Sequence, residues 1–87
     1  MRYADKHCRY KEEYSPEHIY YFTGPDALTG KSITVKVRAA ELYQYRQGKY
    51  IQDSLKSNTA DEREFLLTGI SAESWEGIFD EQEDMEG

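Results

Sequence analysis

The sequence predicts an α+β fold, a small single domain in which a β-hairpin packs against about three short helices. Three observations carry that expectation. Lys31 to Arg38 (KSITVKVR) alternates Ile33, Val35 and Val37 with polar side chains, the period of a strand with one buried face. Thr59 and Glu62 have the spacing of a helix capping box, and Gly69 stands where that helix would stop. The chain has 87 residues, enough for one hydrophobic core and not for two.

Residues 1–17 carry four basic and four acidic groups with no apolar periodicity, and read as a partly ordered N-terminal segment outside a domain at 18–79. His18 to Thr23 (HIYYFT) is aromatic and β-prone, a partner for the strand at 31–38. The linking GPDALTG begins and ends in glycine, so Gly24 and Gly30 can take the positive φ that a longer hairpin loop needs. Ala39 to Gln47 turns helical, with Ala39, Leu42, Tyr43 and Arg46 on one side and Gly48 as the stop. Tyr50 to Asn58 is ambiguous; Ile51 and Leu55 at i, i+4 permit one helical turn.

The helix opened by Thr59 has Asp61 and Glu62 in its first turn, where the dipole favours negative charge. Phe65 and Ile70 have the spacing of the touching pair in a Schellman ending. Ser71 then caps a third helix whose Trp75, Ile78 and Phe79 form an apolar stripe. The expected core is Ile33, Val35, Val37, Leu42, Phe65, Leu66, Ile70, Trp75, Ile78 and Phe79. Residues 80–87 hold five carboxylates and read as a disordered acidic tail.

Composition tests whether such a core can form at all. Leu, Ile, Val and Phe number only 15 and the formal charge is -6, a pairing typical of disorder. The 8 tyrosines and Trp75 offset the shortage, provided their polar ends reach water or a partner. No apolar run approaches the roughly 18 residues of a membrane span, and MRYADKHCRYKEEY lacks the apolar stretch of a secretory signal. The single Cys8 cannot form an internal disulfide. A cytoplasmic protein is the expectation.

Catalytic patterns fall short. Gly30, Lys31 and Ser32 match the end of a phosphate-binding loop, but Pro25 stands where its first glycine belongs and a strand follows instead of a helix. His7, Cys8 and His18 are the only soft ligands, and the adjacency of His7 and Cys8 is a poor geometry for one tetrahedral ion. No cofactor, metal site or catalytic residue is assigned, and the chain reads as a non-enzymatic binding protein.

Charge suggests where binding would occur. Residues 18–58 sum to +3 and residues 59–87 to -9. The helical carboxylates Asp61, Glu64, Glu73 and Glu76 could present an acidic face to a partner. Tyr45, Arg46, Lys49 and Tyr50, with Tyr43, form the alternative face, because bases stack on tyrosine while arginine and lysine neutralise phosphate.

From Gly48 the chain reads G-K-Y-I-Q-D-S-L, then D-E-R-E-F-L-L-T-G-I, then W-E-G-I-F. Together with the T-G-K turn at Thr29 to Lys31, this resembles small proteins encoded by bacteriophages and prophages, over Thr29 to Phe79. No activity is established for that group, so the resemblance carries over no catalytic residue. Some members have a cysteine near the position of Ser74; serine here removes a metal ligand borrowed from them. The resemblance implies a small protein made in an infected bacterium. The resulting expectation is a phage-encoded modulator or inhibitor of a host protein, such as a component of anti-phage defence. The alternative is a nucleic-acid-binding accessory protein.

Overall fold

The computed structural model describes residues 1–77 and is α+β. Helix α1 (Arg2–His7) leads into strands β1 (Arg9–Glu13), β2 (Ile19–Pro25) and β3 (Ser32–Arg38). Helices α2 (Ala39–Arg46), α3 (Ile51–Ser54) and α4 (Ala60–Thr68) follow, then a helical segment at 72–77. The strands form one antiparallel sheet in the order β1-β2-β3. Its register sets Phe22 opposite Val35 and Tyr20 opposite Val37. Because side chains alternate across a strand, Tyr20, Phe22, Ile33, Val35 and Val37 share the face under the helices, while Lys11, Tyr21 and Lys36 share the other.

The core unites Met1, Ala4, Phe22, Val35, Val37, Leu42, Leu55, Phe65 and Leu66. Val35, Val37, Leu42, Phe65 and Leu66 are buried as the sequence suggests; Ile33, Ile70 and Trp75 are half-buried. Ile78, Phe79 and the tail at 80–87 lie outside the described residues. Each fully buried Leu or Phe contributes about 1.5–3 kcal/mol of transfer free energy, so the few large side chains at α4 carry much of the stability.

Residues 1–17 are part of this domain. Arg2–His7 is helical, Met1 and Ala4 sit in the core, and Arg9–Glu13 adds the edge strand. Composition could not reveal β1, because all five of its residues are exposed and it buries no stripe of its own. Charged residues suit an exposed edge. Rings tie it down: Tyr10 meets Tyr20 edge-on at 5.5 Å and Phe22 at 5.9 Å.

Thr59 and Glu62 complete the capping box, with Glu62 N donating to Thr59 Oγ1 at 3.1 Å and Thr59 N to Glu62 Oε1 at 2.9 Å. Gly69 takes φ +82° and its N–H reaches Phe65 C=O at 2.8 Å. That is the αL ending and not the Schellman one, since Ile70 N turns to Thr68 Oγ1 at 3.3 Å. Ile51 and Leu55 do mark a helical turn, and Leu55 is fully buried. Gly30 has the positive φ expected of the loop, at +77°. Gly24 does not; a Cβ there would lie 2.6 Å from Cys8 Sγ, so close packing of the α1–β1 junction is what requires glycine.

Candidate functional site

Asp26 organises the end of the molecule where the hairpin loop meets α4. The residue is only 2% exposed. Its Oδ1 accepts the backbone N–H groups of Leu28 at 2.7 Å and Thr29 at 3.1 Å, an Asx turn that shapes the loop. Its Oδ2 accepts Ser71 N at 3.0 Å and the Ser74 hydroxyl at 2.8 Å. Burial acts to raise its pKa, but the hydrogen bonds from Ser71, Ser74 and Leu28 outweigh it and hold the carboxyl well below the usual carboxylate range. The hairpin is thus fastened to the start of the 72–77 segment, whose first turn Ser71 caps through Ser74 N at 3.4 Å. Ala27 N adds a bond to Gly69 C=O at 2.7 Å.

This fastening creates a groove of about 280 Å³ beside β3, lined by Ile33, Thr34, Val35, Phe65 and Ala72 with Asp61, Glu62 and Glu73 among its polar residues. The strand contributes backbone as well as side chains. Lys36 C=O accepts Asn58 Nδ2 at 2.8 Å, on the side away from β2. Backbone groups of alternate residues point to the same edge, so Thr34 and Ser32 also turn theirs outward. An apolar floor, a carboxylate rim and, at Ser32 and Thr34, a strand edge unpaired among the described residues therefore coincide.

The four carboxylates of the expected acidic face are not equivalent. Asp61 and Glu73 meet at the groove. Glu73 is held by Lys31 Nζ at 2.9 Å, and that carboxylate raises the Lys31 pKa. Glu64 is half-buried and Glu76 exposed, and neither lines the groove. Glu62 joins the site in their place; as N3 of a capping box, it carried a structural explanation that concealed its position.

The tyrosine face also divides. Tyr43 and Tyr50 are the exposed rings, at 66% and 78%, whereas Tyr45 packs against the core and its hydroxyl accepts Met1 N at 3.2 Å. Arg46 approaches Asp5 at 3.5 Å, and Lys49 is exposed. Ala39, Leu42, Tyr43 and Arg46 do share a side of α2, and all four line a second cleft of about 290 Å³ walled opposite by Tyr10, Tyr20 and Phe22. Tyr45, Lys49 and Tyr50 lie outside that cleft.

His7 and Cys8 sit near the Gly24 end of β2, while His18 precedes its other end and stacks on Tyr14 at 4.5 Å. Among the described residues, no group of three His, Cys, Asp or Glu side chains could hold a metal ion. Burial, and secondarily Asp5, pushes the Cys8 thiol pKa up, away from the thiolate form that reacts. Among the described residues no helix is long and apolar enough to cross a membrane. Comparison with family models, with curated proteins and with solved structures found no match.

Proposed function

We propose that this chain is a non-enzymatic binding protein that takes an extended segment of a partner protein into the groove beside β3. The observation that carries the reading is the juxtaposition of Thr34's outward backbone with the apolar floor of Ile33, Val35 and Phe65. Main-chain bonds to a strand edge supply affinity, and flanking pockets supply specificity. Asp61, Glu62 and Glu73 favour a segment carrying lysine or arginine. The resemblance to phage-encoded proteins supports a host protein in an infected bacterium as that partner, and modulation of it as the outcome.

The test is parallel affinity capture from bacterial lysate with wild type, Thr34→Pro and the Asp61→Lys/Glu73→Lys variant. Proline removes an outward N–H that β2 does not use, so the sheet keeps its ladder while the edge is blocked. The expected result is a partner held by wild type and lost by both variants. A partner held equally by all three would overturn the reading. Tyr43→Ala and Tyr50→Ala should retain it.

A further inference from the structure

We propose that the outer face of the sheet is a site for single-stranded nucleic acid, distinct from the groove. The register places Arg9, Thr23 and Thr34 in one row across the strands, Lys11, Tyr21 and Lys36 in the next, and Glu13, Ile19 and Arg38 in the third. Arg9, Lys11, Thr34, Lys36 and Arg38 are all exposed and Tyr21 is half-buried, so no helix among the described residues covers the first two rows, while Ile19 in the third is buried. Arg38 is engaged by Glu17 at 3.0 Å and Glu41 at 3.7 Å. Arg9, Lys11 and Lys36 hold no ion pair among the described residues.

A chain of net charge -6 thus gathers Arg9, Lys11, Lys36 and Arg38 on one face, where Glu41 and Glu17 reach only Arg38 and the Tyr21 hydroxyl donates to Glu13 at 3.4 Å. Fields are screened within about 8 Å at physiological salt, less than the depth of a sheet and helix layer, so the local sign decides what approaches.

The middle row has the arrangement a single strand requires. Lys11 and Lys36 flank Tyr21 from neighbouring strands, so their Cα positions stand roughly 10 Å apart with that of Tyr21 between them. A base can stack on the ring while phosphates on either side meet the lysines. The hydroxyls of Thr23 and Thr34, 2.9 Å apart, lie in the adjoining row as further hydrogen-bonding groups. Paired bases in a duplex offer no face to a ring on a flat sheet, which is why the proposal is for a single strand.

Fluorescence anisotropy with labelled oligothymidine and oligouridine across a salt series tests it. Wild type should bind either strand. Lys11→Ser/Lys36→Ser should reduce the slope of log affinity against log salt by about 1.4, the value for two phosphate contacts on a single strand. Tyr21→Leu should weaken binding roughly tenfold with the slope unchanged, and Tyr21→Phe, which keeps the ring, should restore it. Circular dichroism establishes that each variant is folded. Absence of binding by wild type at low salt would overturn the proposal. So would equal affinity for duplex or heparin with no effect of Tyr21→Leu, since that is attraction to any polyanion.

Discussion

Asp26 Oδ2 accepts the Ser74 hydroxyl at 2.8 Å, joining the hairpin loop to a segment 48 positions later in the chain. Ser71 N shares the same oxygen, so one buried carboxylate holds both serines. Asp26→Asn puts a donor amide among these donors or leaves Ser71 N unsatisfied. Each stranded buried group costs about 1–3 kcal/mol, so the substitution should destabilise by roughly 2–4 kcal/mol in urea unfolding. Ser74→Ala leaves the other bonds intact and should cost about 1 kcal/mol.

The same carboxylate gives stability a pH dependence. Its folded pKa lies below the ordinary aspartate value because hydrogen bonding outweighs burial. A depressed pKa contributes stability that is fully present above the unfolded value of about 4 and is lost as pH falls from there toward the folded value. Wild type should therefore lose melting temperature below about pH 4 more steeply than Asp26→Asn. Parallel curves for the two would remove Asp26 as a source of acid sensitivity.

Tyr3 covers Gly69. A Cβ at Gly69 would lie 2.5 Å from the Tyr3 ring, in addition to the strain of φ +82°. Gly30 has a similar φ of +77° but open space around it. Gly30→Ala should cost about 1 kcal/mol, and Gly69→Ala distinctly more. In a Tyr3→Ala background the excess at Gly69 should shrink, and a double-mutant cycle measures the coupling.

The two tyrosines of α2 and Tyr50, which precedes α3, separate by burial. Tyr45→Ala removes a ring packed on the core and should cost about 2 kcal/mol, while Tyr43→Ala and Tyr50→Ala should stay within about 0.5 kcal/mol. Thermal melts of the three variants check this. The result makes Tyr43 and Tyr50, and not Tyr45, the usable surface probes.

The parts of the fold that were legible in sequence are those written in neighbouring residues. Thr59 with Glu62 marked the start of α4, Gly69 its end, and the alternation of Ile33, Val35 and Val37 the strand beside the groove. The illegible parts depend on distant contacts. Asp26 looked like a turn residue, which it is, but nothing near it announces Ser71 and Ser74. The strand β1 has no buried face to impose a period, and Tyr45 is selected for the core over Tyr43 by Met1, 44 positions away. Of the acidic candidates, Asp61 and Glu73 line one groove, a placement that the packing of the segment after Gly69 decides and local sequence does not show.

Amide hydrogen exchange on the captured complex addresses the groove most directly. If a partner segment adds to the outer edge of β3, the Ser32 and Thr34 amides, which β2 leaves unpaired, should exchange more slowly in the complex than in the free protein. Protection confined to α2, α3 or the outer face of the sheet, with Ser32 and Thr34 unchanged, would contradict the account.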